Sequence, residues 1–172
     1  MPAALLDERS DLADTAPMAL SRSSIVSAVP SRPLAWHVLI ADDDPGVRLV
    51  TRAALREVTV AGRPLALASA ASGAEVRAWL AAQAEPALLL LDVGLDTADA
   101  GLVIAREVRQ ILGNRTVRIL LRSGHDPETL RAAVAGLDVT DVLGKANSTL
   151  PELRAAVSWA LEAYVRLTRT ED

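Results

Sequence analysis

The chain has 172 residues, of which 51% are hydrophobic, enough for one domain with a buried core. Its net charge of -4 with dispersed arginines argues against direct contact with nucleic acid, and the lack of cysteine excludes disulfides, thiolate metal sites and cysteine nucleophiles. Because the N-terminus is acidic and no apolar run is long enough for a membrane span, we expect a cytoplasmic protein without membrane insertion.

Residues 1–35 mix Ser, Pro, Asp and Arg without sustained periodicity, which predicts a mobile N-terminal tail. From Trp36 onward, short apolar runs alternate with segments of helical period. The runs are HVLIA, RPLALASA, ALLLLD, VRILLRS and TDVLGK, each short enough for a strand and too continuous for a strand wetted on one face. We therefore predict a folded domain over residues 36–168, with residues 169–172 as a C-terminal end.

Helix-start signals follow the apolar runs. Two consist of an aspartate followed by a first-turn proline, and two have the spacing of a capping box. They are Asp44 with Pro45, Asp126 with Pro127, Ser72 with Glu75, and Thr149 with Glu152. A further helix is expected from about Gly101 to Leu112. This alternation predicts an α/β fold: a five-stranded parallel sheet, doubly wound as (βα)5, with helices on both faces.

Charged and hydroxyl side chains follow the predicted strands, in ADDD, LLLLDVGLD, LLRSG and LGK. Because the carboxyl ends of parallel strands share one edge, we expect these side chains to meet there. They are Asp42, Asp43, Asp92, Ser123 and Lys145, which is the only lysine of the chain. Crowded carboxylates favour a hard divalent cation such as Mg²⁺, and a nearby hydroxyl and ammonium suit an anion bound to one carboxylate. Together they predict a phosphoryl site.

From about Val38 to Tyr164 the chain resembles the receiver domain of two-component response regulators. The resemblance implies a flavodoxin-like fold. It also implies that Asp92 accepts a phosphoryl group from a sensor histidine kinase or a phosphotransfer protein. Receivers modify only themselves, so the resemblance implies a phosphoryl-controlled switch and not a turnover enzyme.

The resemblance assigns roles to the other residues at the predicted edge. Asp42, Asp43, Asp92 and the backbone carbonyl of Gly94 match the family's ligands for Mg²⁺. Ser123 stands where the family has a Thr or Ser that bonds the phosphoryl group. Lys145 stands where the family has a lysine that pairs with a phosphoryl oxygen.

Three longer segments indicate a particular subgroup of receivers. They are RPLALASAASGAEVRAWL, DVGLDTADAGLVIAREVRQILGNRTVRILLRSG and LDVTDVLGKANSTL. They are similar to receivers that precede sensor-like domains and cyclic-dinucleotide or phosphohydrolase output modules. The chain ends at Asp172, directly after the last predicted helix. We therefore expect no output domain of its own and signalling through contacts with a downstream protein.

Three positions are candidates for switching or contact. Val142 stands where receivers carry Tyr or Phe, so either the output response differs or Ser123 and the loop after it carry the change. His125 lies at a position from which it is hypothesised to modulate the lifetime of the phosphoryl group, although an exposed loop histidine explains it equally well. Trp159 falls on the polar face of the last helix, where it serves a homodimer or a partner protein unless the tail or its own helix covers it.

Two other functions compete with the phosphorylatable receiver. A receiver-like adaptor independent of phosphorylation is supported by Val142. A hydrolase with an aspartyl-phosphate intermediate is weakly supported by LLLLDVGLD, but such enzymes need a second acid at the position of Gly94. Asp96 and Asp99 are predicted to be loop and helix-start residues and not metal ligands.

Overall fold

The computed structural model describes residues 35–83 and 86–169. The strands are β1 (Trp36–Ala41), β2 (Thr59–Val60), β3 (Arg63–Ala70), β4 (Pro86–Asp92), β5 (Arg118–Ser123) and β6 (Asp141–Gly144). The helices are α1 (Pro45–Leu55), α2 (Gly73–Ala82), α3 (Ala100–Arg106), α4 (Pro127–Ala133) and α5 (Leu150–Arg169), and a π-helical turn over Glu107–Ile111 continues α3. Apart from Ala35, the tail predicted over residues 1–35 lies outside the described residues, as do residues 170–172.

The strands form one sheet in the order β2-β3-β1-β4-β5-β6. All neighbours from β3 to β6 are parallel, which confirms the predicted doubly wound α/β fold. The sequence patterns did not predict β2, which has two residues and pairs antiparallel with β3. The order reverses beside β1, and the carboxyl edge of the sheet next to β1 and β4 is therefore the expected place for a ligand.

Apolar side chains alternate between the two faces of the sheet. On one face they pack against α1 and α5, and on the other against α2, α3 and α4. We call these the α1/α5 face, with Val38, Ile40, Leu88, Leu90 and Leu120, and the α2–α4 face, with Leu39, Leu89, Leu91, Ile119 and Leu121. Every residue of β4 is buried, as a strand covered on both faces requires.

The predicted helix starts are confirmed by their capping bonds. Aspartates cap α1 and α4: Asp44 accepts from two backbone N–H groups and Asp126 from one. Ser72 accepts from an N–H at the start of α2. At α5, Thr149 and Glu152 bond each other reciprocally as a capping box. Within the described part of the chain, none of the helices combines the length and the apolar character needed to cross a membrane.

Gly101 positions the edge of the sheet. Its N–H donates to the carbonyl oxygen of Val93 at 2.9 Å, which seats the first turn of α3 on the end of β4. A Cβ at this position would overlap the carbonyl oxygen of Asp92 and the Cα of Val93. Only glycine permits this approach, so α3 packs directly behind Asp92.

Candidate functional site

Three carboxylates converge at the carboxyl edge of the sheet. Asp42 follows β1 and Asp92 ends the neighbouring β4, and these side chains are buried with exposed fractions of 1% and 6%. Asp43 is exposed beside them. One carboxylate oxygen of each of the three residues lies within 4.8 Å of those of the other two. Carboxylates this close repel one another unless a cation lies among them.

Lys145 supplies one positive charge to this cluster. It follows β6, and its Nζ lies 2.8 Å from Oδ2 of Asp42 and 2.8 Å from Oδ2 of Asp92. Burial disfavours the charged ammonium, but the two carboxylates outweigh this effect and raise the pKa of Lys145 above its usual value. Lys145 is therefore a fixed cation that joins the ends of β1 and β4.

The cluster has the donor set of a hard divalent cation. Oδ2 of Asp42 is buried and is neutralised by the ion pair with Lys145. Gly94 lies in the turn after β4, where a Cβ would be 4.0 Å from Oδ2 of Asp92. Gly94 thus lies close to the carboxylates, and three carboxylates converge there as the oxygen ligands that Mg²⁺ prefers. These residues fit the metal that the sequence predicts.

Arg48 holds the acidic turn in place, a role that the sequence analysis missed. Its Nη1 donates to the carbonyl oxygen of Asp42 at 2.5 Å and to that of Asp43 at 3.0 Å. Asp42 Oδ1 in turn accepts from the N–H of Asp44 at 3.1 Å. The available signal was an arginine four residues into the helix that follows ADDD, but arginines at such positions are common on exposed helices.

Ser123 and His125 lie on the neighbouring strand end. Ser123 is buried, and its Oγ accepts from the N–H of His125 at 3.0 Å. The carbonyl oxygen of Ser123 accepts from the N–H of Lys145 at 2.7 Å, so the serine and the lysine are connected through the backbone. The His125 side chain is exposed.

The remaining predicted residues lie outside the charged cluster. Val142 is 1% exposed and packs on the α2–α4 face. Trp159 is 53% exposed on α5, and its role in an interface stays a prediction. Asp96 accepts from the N–H of Gly73 at 2.6 Å and so ties the loop after β4 to α2, while Asp99 occupies the N-cap position of α3 without a side-chain capping bond.

Arg122 is a second cation at this edge that the sequence analysis did not assign to the site. It lies beside Asp92 in the register of β4 and β5, and its Nη1 donates to Oγ1 of Thr51 at 2.8 Å. The available signal was the charged residue that interrupts the apolar run in LLRSG, directly before Ser123.

Known proteins share this arrangement of strands. The family model of the response regulator receiver domain matches residues 38–158. A curated relative, the 3'3'-cGAMP-specific phosphodiesterase 2 of Vibrio cholerae serotype O1, is 36% identical over 138 residues. These residues are 80% of this chain and 26% of the relative, so the chain spans about a quarter of the relative's length. This relative confirms the predicted similarity to receivers of cyclic-dinucleotide systems.

Solved structures agree with the sequence comparison. The signal receiver domain of an HD domain-containing protein from Pseudomonas fluorescens Pf-5 has a TM-score of 0.68 at 19% identity, covering 83% of this chain and 98% of that chain. A response regulator receiver domain protein from Clostridium thermocellum has a TM-score of 0.63 at 18% identity, covering 77% and 98%. These structures share the fold, and the family match covers most of the chain. The chain belongs to the response regulator receiver domain family.

Proposed function

We propose that residues 36–168 form a phosphorylatable receiver that accepts a phosphoryl group on Asp92 from a sensor histidine kinase or a phosphotransfer protein. One observation carries the proposal. Asp92 is a buried carboxylate at the carboxyl edge of the sheet, paired with Lys145 and adjacent to Asp42 and Asp43. A purely structural ion pair would not need two further carboxylates beside it.

Asp92 is the nucleophile in this proposal. A carboxylate oxygen of Asp92 forms a bond to phosphorus while the bond between phosphorus and the donor's leaving atom breaks, and the leaving group departs with that bond's electrons. Lys145, already 2.8 Å from Asp92, neutralises charge on the transferred group. The Ser123 hydroxyl, whose oxygen accepts from the N–H of His125, donates its own hydrogen to the same group.

Mg²⁺ is the cofactor that we propose for this site. Asp42, Asp43, Asp92 and the carbonyl oxygen of Gly94 would hold it. When bound, the ion offsets the negative charge of the phosphoryl oxygens. Arg48 supports this ligand set because it fixes the backbone of Asp42 and Asp43 from α1.

The proposed chemistry ends with the modified protein and not with a released product. The surroundings of Asp92 support this distinction from a hydrolase, since Gly94 lies two residues after Asp92 and has no side chain to act as a second acid or base. The signal then leaves the domain through contacts with a downstream protein, and Trp159 is a candidate for such a contact or for a homodimer.

A second function is favoured by Val142. This residue is fully packed on the α2–α4 face, and a branched aliphatic side chain has no aromatic ring to exchange between an inward and an outward position. A receiver-like adaptor that binds its partner without phosphorylation would need no such switch. The charged cluster around Asp92 favours signalling that depends on phosphorylation over this alternative.

The decisive experiment is intact mass spectrometry after incubation with Mg²⁺ and acetyl phosphate. We expect a gain of one phosphoryl group that is labile at alkaline pH, as a mixed anhydride should be. Asp92→Asn should abolish the gain because it removes the nucleophile. Asp99→Ala should retain it, since Asp99 is exposed and makes no side-chain capping bond.

Two results would count against the proposal. A mass gain that persists in Asp92→Asn would place the modification elsewhere. The absence of any gain in the wild-type chain, together with failure to bind the phosphoryl mimic beryllium fluoride, would favour the adaptor.

A further inference from the structure

Arg122 faces the phosphoacceptor across one pair of neighbouring strands. Asp92 of β4 and Arg122 of β5 are register partners, and paired residues of parallel strands project to the same face of a sheet. Leu90 and Leu120, two residues earlier on each strand, both pack on the α1/α5 face. By the same alternation, Asp92 and Arg122 lie side by side on that face.

The guanidinium group of Arg122 contacts α1. Arg122 Nη1 donates to Oγ1 of Thr51, a buried residue of that helix, at 2.8 Å. Arg122 and Lys145 together line a groove of about 260 Å³ between α1 and α5. Burial lowers the pKa of Arg122, and the negative charges of Asp42 and Asp92 oppose that effect.

A count of formal charges shows what Arg122 changes. Asp42, Asp43 and Asp92 carry three negative charges, and Lys145, Arg48 and Arg122 carry three positive charges. Without Arg122, one net negative charge would remain. Phosphorylation of Asp92 adds roughly one negative charge, since a phosphoryl group carries up to about two. Arg122 therefore shifts the net charge of the phosphorylated cluster by one unit in the positive direction, whether or not a divalent cation is bound.

We propose that Arg122 is a charge-balancing residue of the phosphoryl site, which stabilises the phosphorylated form of Asp92 at the expense of affinity for the divalent cation. This inference rests on the proposed function. Arg122 acts through its charge and needs no contact with the phosphoryl group. The strand register places that charge on the α1/α5 face, where Asp42 and Asp92 also lie.

The expected changes in cation affinity and anion affinity have opposite signs. This distinguishes the loss of a charge from a loss of local structure. A positive charge near the carboxylates repels a metal cation and attracts a phosphoryl anion. Loss of the charge must therefore strengthen cation binding and weaken anion binding. A loss of local structure would weaken both.

The test measures both affinities by calorimetry on the full chain: Mg²⁺ alone, and then beryllium fluoride at saturating Mg²⁺. In Arg122→Gln, which removes the charge and keeps a polar side chain, we expect Mg²⁺ to bind about threefold to tenfold more tightly and beryllium fluoride to bind weaker by a similar factor. Arg122→Lys, which restores a positive charge, should return both affinities toward those of the wild type.

Thr51→Val is the matched control because it removes the hydrogen bond and keeps the charge of Arg122. We expect both affinities in this variant to stay within about twofold of the wild type, as the net charge is unchanged. If Arg122→Gln unfolds, Arg122→Met provides the same neutral comparison with a side chain suited to the apolar wall of the groove.

The results distinguish a failure of the role proposed for Arg122 from a failure of the proposed function. If the wild type binds beryllium fluoride and the neutral variant shows no shift, or shifts both affinities in the same direction, the role of Arg122 is rejected and the proposed function stands. The role is also rejected if Thr51→Val reproduces the effects of Arg122→Gln. If the wild type does not bind beryllium fluoride, the proposed function fails and this inference fails with it.

Discussion

The two faces of the sheet differ most at its carboxyl edge. On the α1/α5 face, the rows of apolar side chains end in charges: Asp42, Asp92, Arg122 and Lys145. On the α2–α4 face, the apolar packing extends to the edge through Leu121 and Val142 and ends at the small hydroxyl of Ser123.

The two faces of the sheet therefore have different roles at the same strand end. Val142 and Lys145 are three residues apart at β6, yet the valine packs in the α2–α4 core and the lysine pairs with the carboxylates. The chemistry that we propose therefore belongs to one face, and the packing that supports it belongs to the other. Ser123 and the backbone around Asp92 connect them.

A substitution at Gly101 should have the largest effect and should disturb both faces, because Gly101 lies on α3 and touches the back of Asp92. Gly101→Ala places a methyl group into backbone atoms that cannot move aside without displacing β4. We expect a loss of about 3 kcal/mol in the free energy of unfolding, measured by urea denaturation, together with loss of beryllium fluoride binding. Gly94→Ala is the control for stability, since a Cβ there would lie 4.0 Å from Oδ2 of Asp92, an ordinary van der Waals distance. Equal stability of the two variants would contradict the close packing.

Val142→Ala should affect only the packed face. Removing two methyl groups from this buried site leaves a cavity, and we expect a loss of about 2 kcal/mol in the free energy of unfolding. The Mg²⁺ affinity should remain that of the wild type, because no charge changes. Val103→Ala on the exposed side of α3 is the matched control and should have little effect on stability. A changed Mg²⁺ affinity in Val142→Ala would show that the faces are coupled.

Lys145→Met should give the opposite pattern. Without the ammonium, Asp42 and Asp92 lose a counter-ion, and the free energy of unfolding should fall by about 1 kcal/mol in metal-free buffer. Added Mg²⁺ should then stabilise this variant more than it stabilises the wild type, because the metal no longer competes with Lys145. Thermal unfolding with and without Mg²⁺ measures this difference. Equal stabilisation of the two proteins would mean that Lys145 does not occupy the space of the cation.

Most of the fold could be predicted from the sequence because its signals are local. The five apolar runs became the five parallel strands, and the four capping signals each start a helix. The short β2 was not predicted because two residues are too few for a periodic pattern. The turn that joins it to β3 relies on positive φ angles at Ala61 and Gly62, and an alanine there gives no turn signal.

The site residues that lie at strand ends could be predicted, because the ends of the strands can be located in the sequence. Asp42, Asp43, Asp92 and Lys145 all come directly after, or at the end of, an apolar run, and the structure brings them together. Arg48 and Arg122 were missed for different reasons. Arg48 acts through the backbone carbonyls of other residues, and Arg122 depends on the register between β4 and β5, which no local pattern specifies.

His125→Ala should have the smallest effect on stability and the most selective effect on the phosphorylated form. The contact between this residue and Ser123 uses the backbone N–H, which alanine retains, and the imidazole itself is exposed. We therefore expect the free energy of unfolding to stay within about 0.5 kcal/mol of the wild type. An imidazole two residues beyond Ser123 can place or block the water that hydrolyses the mixed anhydride, and its loss should change the half-life of phosphorylated Asp92 by about twofold or more. The decay of the mass gain after removal of acetyl phosphate measures that half-life, and an unchanged value with retained stability would leave His125 as an exposed loop residue without a role in the site.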